Sequence, residues 1–210
     1  RSNSIWIATD SQGIYNLTKQ KAVSVPLPGN DIPIAIYPLG NDKIIAGTYR
    51  KGLLEIDGRQ VTDLGLKEIQ DKVVMSAVKG PGNTILIGTQ QNGAFALSPG
   101  NKIRKIKIGD INPPFVLPIA MMGEEVWLGS SFGLHQLSNT LVNQRNYSYQ
   151  DLGVTAHFNF IYPLDSTMLI GSAGEGLLVF NPRTAKLTKM PGYETESSLY
   201  LIKRDKNGQL

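Results

Sequence analysis

The residues of this 210-residue chain best equipped for chemistry are few: two histidines, 17 carboxylates and no cysteine. The missing cysteines remove disulfides, thiolate metal sites and cysteine nucleophiles together, and leave the compartment open. His135 stands in Gly133-Leu134-His135-Gln136-Leu137, at a station where related segments carry Tyr15, Leu54, Phe95 and Leu178. That is a packing position, so a core role is expected rather than acid–base work. His157 precedes an apolar run and is expected to be exposed. The pair Glu124-Glu125 falls in a polar turn, where solvation is the expectation. Asp205-Lys206-Asn207-Gly208 begins like a calcium loop but lacks the later Glu, so a hairpin turn fits it better. Trp6 and Trp127 occupy matching strand positions, which favours burial over stacking on a sugar ring. No Ser/His/Asp or metal-ligand spacing emerges, so the sequence assigns no catalytic residue, metal or cofactor.

The elements that position these residues are written as a repeat. IWIATD, IIAGTY, ILIGTQ, VWLGSS and LIGSAG are anchored at Ala8, Gly47, Gly88, Gly129 and Gly171, with spacings of 39, 41, 41 and 42 residues. A second glycine follows each anchor, at Gly13, Gly52, Gly93, Gly133 and Gly176, and opens GIYNL, GLLEI, GAFAL, GLHQL and GLLVF. Before the anchor comes a nearly continuous apolar run: Ile34–Leu39, Val73–Val78, Phe115–Met121 or Phe158–Leu164, two of which contain Ile-Tyr-Pro-Leu. These read as strand A, buried on both faces. The anchor is strand B and the second glycine opens strand C. The more polar Ala22–Val25, Val61–Leu64, Ile103–Ile108, Tyr147–Leu152 and Leu187–Met190 read as strand D. Hydrophobicity falls from A to D, which predicts A at the centre and D at the rim.

Four antiparallel strands per ~40 residues is the period of a β-propeller blade. The glycines and the two-residue apolar spacing exclude helix-pair solenoids. The fold predicted is all-β, a propeller of about five repeats. They cover approximately 1–30, 31–70, 71–112, 113–154 and 155–195, with a further repeat starting at 196–210. The glycines are expected to let the chain reverse after strand B or to admit a neighbouring backbone.

Apolar content of 41% is ordinary for a globular chain. The longest apolar run, Phe115–Met122, contains Pro118 and falls far short of the ~20 residues that span a bilayer, so no membrane contact is expected within this segment. Arg1 is followed by polar residues rather than a signal peptide, and the chain reads as a piece of something longer. The net charge of +4 is modest. Its densest basic stretch, Lys102–Ile108, alternates Ile with Lys/Arg as a half-exposed strand does, and nucleic acid is not expected as a partner.

The unit resembles the two-component regulator propeller repeat, with its pattern D-x-x-G-x-[LI]-W-[IL]-G-T-x-x-G-[LI]. The best matches are Ile5-Trp6-Ile7-Ala8-Thr9 through Gly13-Ile14, and Val126-Trp127-Leu128-Gly129-Ser130 through Gly133-Leu134. Arg204–Leu210 resembles the start of another copy. Three of the five anchors lack Trp, the first has Ala8 for Gly, and only the last turn keeps the acidic lead. The resemblance implies the extracytoplasmic sensor region of a bacterial hybrid two-component histidine kinase. It implies a periplasmic location, an oligosaccharide ligand, and the rest of the propeller and the kinase in the parent chain. A homodimer is compatible with it. No kinase motif lies in these residues.

In such a blade the B–C turns and D–A connections emerge on one face, and loops on a rigid scaffold carry recognition. The turns offer Asp10-Ser11-Gln12, Tyr49-Arg50-Lys51, Gln90-Gln91-Asn92, Ser131-Phe132 and Ala173-Gly174-Glu175. The ligand candidates are Tyr49, Arg50, Lys51, Gln90, Gln91, Phe132 and His157. Aromatic faces suit sugar rings, Arg50 suits a carboxylate or sulfate, and the amides pair donors with acceptors. The alternatives are a polysaccharide hydrolase or lyase, and a protein-binding scaffold. The sequence favours a fragment of a larger propeller. The competing arrangement is a closed five-bladed ring in which Ile5–Thr9 pairs with Ser198–Lys203.

Overall fold

The structure is a computed structural model, and it describes residues 5–9, 13–18, 21–193, 198–200 and 202. The readings made on Asp10-Ser11-Gln12, on Arg204–Leu210 and on Leu201 and Lys203 of Ser198–Lys203 lie outside the described residues. So does any full test of the pairing with Ile5–Thr9.

Two compact units divide the chain, residues 1–106 and 107–210. The first holds three antiparallel meanders. The first sheet comprises β1 (Ile5–Thr9), β2 (Gly13–Thr18) and β3 (Lys21–Val25), in the order β1-β2-β3. The second comprises β4 (Pro33–Gly40), β5 (Lys43–Thr48), β6 (Leu53–Asp57) and β7 (Gln60–Asp63). The third comprises β8 (Val74–Lys79), β9 (Ile85–Thr89), β10 (Ala94–Ser98) and β11 (Lys102–Lys105). The second unit holds two more. The fourth sheet runs β12 (Val116–Met122), β13 (Glu125–Ser130), β14 (Gly133–Leu137) and β15 (Asn143–Ser148), and is followed by a one-turn helix α1 (Tyr149–Leu152). The fifth runs β16 (Phe158–Leu164), β17 (Thr167–Ser172), β18 (Leu177–Asn181) and β19 (Lys186–Lys189). The all-β, blade-type architecture read from the repeats is therefore present.

The burial gradient differs from the one expected. β4 is half-exposed along most of its length, with Ile34 and Leu39 open to solvent, whereas β5, β9, β13 and β17 are almost wholly buried. The reason is sheet order. Strand A is an edge of its own sheet, while strand B is flanked on both sides and sandwiched between sheets. The prolines carry this signal: Pro38, Pro118 and Pro163 all fall in A strands, and proline is tolerated where no ladder N–H is needed. The fourth D strand is also displaced, covering Asn143–Ser148 rather than Tyr147–Leu152. Tyr149–Leu152 coils instead, because Ser148 and Asp151 form a reciprocal capping box and Gly153 closes the helix in the left-handed region.

The two glycine classes have different tasks. Gly47 is extended, and a Cβ there would lie 2.5 Å from Val74 Cγ1 on the next sheet's inner strand. Gly52 has φ +69°, and a Cβ would lie 2.6 Å from the Ile69 carbonyl oxygen. The first therefore sets the approach of neighbouring sheets, and only the second turns the chain.

Each unit has its own core between sheets. In the first, Ile14, Val25, Ile44, Leu54 and Ile56 pack together, and Ile45, Leu53, Val74, Ile87 and Phe95 form the next layer. In the second, Trp127, Tyr147, Phe158, Ile170 and Phe180 fill the seam between the fourth and fifth sheets. Trp127 is fully buried there, as expected.

Candidate ligand-binding face

The B–C turns are built by one recurring device. The Thr or Ser that ends each B strand reaches over the turn to hold it. Thr48 Oγ1 donates to the Gly52 carbonyl (3.3 Å) and accepts the Lys51 N–H (2.9 Å). Thr89 Oγ1 donates to the Gly93 carbonyl (2.8 Å) and accepts the Asn92 N–H (3.0 Å). Ser172 Oγ donates to Gly176 (2.9 Å) and accepts the Glu175 N–H (2.8 Å). The repeat's G-T/S dipeptide thus encodes a turn staple.

A second set of bonds ties each turn to a D–A connection. Asp31, only 4% exposed, accepts the N–H groups of Ile32 (2.8 Å), Arg50 (3.1 Å) and Lys51 (2.8 Å), with the Arg50 Nε 3.6 Å away. Burial pushes the Asp31 carboxyl up, but the adjacent Thr48 hydroxyl and the bonds from the Ile32, Lys51 and Arg50 backbone outweigh it and hold it below the ordinary value. In the third sheet, Asn92 Nδ2 donates to the Glu68 carbonyl (3.0 Å). In the fifth, Glu175 accepts from Thr155 N–H (2.7 Å) and Ala156 N–H (3.1 Å). Burial raises the Glu175 carboxyl, and those backbone bonds with Lys189 bring it below its usual value.

The fourth turn departs from the pattern. It is one residue shorter, and Ser130 Oγ lies 2.6 Å from His135 Nε2 while accepting the Phe132 N–H (3.0 Å). His135 Nδ1 lies 2.8 Å from Asn146 Oδ1, which also accepts from Asn143 Nδ2 (2.9 Å). An amide oxygen can only accept, so Nδ1 carries the proton and the Ser130 hydroxyl donates to Nε2. The result is a Ser–His–Asn line, but Ser130 is 2% and His135 1% exposed. Burial lowers the imidazole pKa against a smaller raising effect from Asn146. The line stands where other blades have an apolar residue and acts as packing, as the station of His135 foretold. The sequence reading missed its partners. The shortened turn beside a His at an apolar station was the available signal.

Within the first unit, Tyr49 is half-exposed and Arg50, Lys51, Gln90 and Gln91 project from pinned turns. Within the second, Phe132 is 46% exposed at its turn, and His157 is exposed before β16. His157 has neighbours the sequence did not supply. Its ring lies 5.6 Å from Tyr149 and 6.3 Å from Phe115, with Nδ1 3.4 Å from the Tyr149 hydroxyl. Tyr149 donates that hydroxyl's proton to the Ser130 carbonyl (2.6 Å), and burial pushes its phenol up to about 12. The pair Glu124-Glu125 sits at the opposite edge of the fourth sheet. Glu124 is exposed, whereas Glu125 belongs to β13, is partly covered and accepts from Gln136 Nε2 (2.7 Å). Among the described residues no group of three or more acidic or His side chains is placed to hold a metal. No described helix is long and apolar enough to cross a membrane.

No family model and no curated sequence matches the chain. Solved structures do. The extracellular domain assigned to a hybrid two-component system of B. thetaiotaomicron superposes with a TM-score of 0.76 at 21% identity, over 98% of this chain and 29% of that one. That of a one-component system from the same organism gives 0.74 at 20% identity, over 98% and 29%. An ancestral GH74 enzyme gives 0.75 at 18% identity, over 94% and 31%. The chain therefore spans under a third of the length of these structures. The resemblance to extracytoplasmic sensor regions read from the repeats is thus met by the first two neighbours, and at these identities what is shared is the fold.

Proposed function

We propose that this chain is the ligand-sensing part of a propeller from an extracytoplasmic receptor, recognising a saccharide through its B–C turns and passing occupancy to a kinase elsewhere in the parent chain. One observation carries the reading. The turn backbones are fixed by Thr48, Thr89, Ser172, Asp31 and Glu175, while the unlike side chains of Tyr49, Arg50, Gln90 and Gln91 in the first unit, and of Phe132 in the second, are exposed at their tips. Fixed turns lower the ordering cost of binding, and unlike tips supply specificity. A periplasmic location fits the extracellular origin of the neighbours.

The GH74 neighbour favours a second reading, a glycan-cleaving propeller. Such chemistry needs two carboxylates facing a bound sugar. Asp31, at a turn of the first unit, and Glu175, at a turn of the second, are each engaged by backbone N–H groups instead. The test is to incubate the protein with plant and host polysaccharides and follow both binding and new reducing ends. Binding without release, lost on Tyr49→Ala and Arg50→Ala, is expected. Release that disappears in a carboxylate variant would establish the enzyme.

A further inference from the structure

The third B–C turn carries a dipeptide that no other turn repeats. The residues before the five second glycines are Gln12, Lys51, Asn92, Phe132 and Glu175, so only Gly93 follows an asparagine. Asn-Gly is the pair best suited to attack of a backbone nitrogen on the preceding side-chain amide. The attack closes a five-membered ring, and glycine has no Cβ to shield its nitrogen or to bar the backbone rotation required. Lysine and phenylalanine offer no side-chain carbonyl, and glutamine or glutamate would have to close a six-membered ring.

The structure restrains this pair on both sides. Asn92 Nδ2 donates to the Glu68 carbonyl at 3.0 Å, which commits the amide to the D–A connection. The Asn92 N–H donates to Thr89 Oγ1 at 3.0 Å, and the Gly93 carbonyl accepts from Thr89 N–H at 2.9 Å and from Thr89 Oγ1 at 2.8 Å. Gly93 has φ +80° and is buried, so base reaches its N–H when the turn opens. Asn92 is half-buried and follows the exposed Gln90 and Gln91.

We propose that Asn92 is a slow self-modification site, gated by opening of the third turn, and that its conversion releases this turn from the Glu68 connection. In the open turn, base removes the Gly93 N–H proton and the nitrogen attacks Asn92 Cγ. The N–Cγ bond forms, the Cγ–Nδ2 bond breaks, and ammonia leaves with a proton from solvent, which closes a succinimide. Water then adds to either ring carbonyl and opens the ring to aspartate or isoaspartate, with no change of oxidation state. Both products lose the Nδ2 donor, and their carboxylate can only accept, so it meets the Glu68 carbonyl without a bond. Isoaspartate also lengthens the backbone by a methylene, which draws the Gly93 carbonyl off Thr89. The new negative charge follows Gln90 and Gln91, so the conversion remodels an exposed tip irreversibly. The site stands whether or not the turn face binds a saccharide.

The test incubates the intact folded chain for weeks in mildly alkaline buffer, with peptide mapping to separate Asn92 from Asn207-Gly208, which shares the dipeptide. Amide-to-acid conversion is read by mass, and isoaspartate by enzymatic methyl transfer. Asn92 should convert in the folded chain roughly tenfold more slowly than in the urea-unfolded chain, because the turn's hydrogen bonds must open first. Thr89→Ala should speed conversion about fivefold, the factor that one lost hydrogen bond allows. A urea series below the unfolding transition of the parent should speed it too, which keeps the test decisive if that variant does not fold. Asn92→Asp should raise amide exchange across 90–92. The proposal is overturned if Asn92 stays intact in the folded chain, or converts as fast folded as unfolded. It is equally overturned if neither a folded Thr89→Ala chain nor mild urea speeds conversion, or if Asn92→Asp exchanges as the parent does.

Discussion

Replacing Asp31 by Ala should loosen the Tyr49–Lys51 turn and destabilise the first unit by about 2–4 kcal/mol. The magnitude follows from what the carboxylate holds. It accepts three backbone N–H groups at 2.8–3.1 Å, two of them from a turn 19 and 20 residues away. A hydrogen bond to a charged group contributes ~1.5–3 kcal/mol net, and the Arg50 and Lys51 amides lie near solvent and regain water, so the sum falls well below three full bonds. The Arg50 guanidinium is largely exposed and adds under ~1 kcal/mol. Asp31→Asn keeps one carbonyl acceptor and should cost about half as much. The sign with pH follows from the lowered carboxyl. Its contribution is fully present above the unfolded value near 3.8 and is lost as pH falls through the lower folded value. Urea unfolding followed between pH 3 and 7 checks both, with amide exchange at Arg50 and Lys51 as the local readout. The reasoning fails if Asp31→Ala lies within ~0.5 kcal/mol of the parent, or if the exposed control Asp110→Ala costs as much.

Gly52→Ala should cost about 2 kcal/mol or more, because positive φ and the Ile69 carbonyl both oppose a Cβ, while Gly58→Ala, with open space around it, should cost nearer 1. Chemical denaturation of the pair separates strain from clash. His135→Leu leaves the Ser130 hydroxyl without its acceptor and should cost about 1–3 kcal/mol. Because burial lowers the His135 pKa, the parent should lose stability as pH falls below the unfolded imidazole value near 6.5, and the leucine variant should lose that slope. Phe132→Ala, at an exposed tip, should leave the unfolding midpoint within experimental scatter while weakening saccharide binding.

The repeat made the fold readable because each blade must solve the same packing problem at the same stations. Gly47 and its counterparts, the second glycines and the apolar B strands all follow from that constraint. The A-to-D order of the strands is the one the repeats predict, but β4 is more open than its composition suggests, because an edge strand is flanked on one side only, a place that Pro38, Pro118 and Pro163 fit. The fourth D strand was misplaced because Tyr147–Leu152 alternates like a strand while Ser148 and Asp151, a visible capping pair, start a helix. The exposed turn tips could be named from spacing alone. What ties them down could not, since Asp31 and Glu175 act on backbone groups about 20 residues away.

Hydrogen–deuterium exchange of the intact chain, with and without the best-binding saccharide of a glycan panel, tests the central claim most directly. Recognition through pinned B–C turns predicts that 49–51 and 90–92 exchange slowly for surface turns in the free protein and slow further on binding, with no product formed. Fast exchange in those turns together with protection confined to other segments would contradict it.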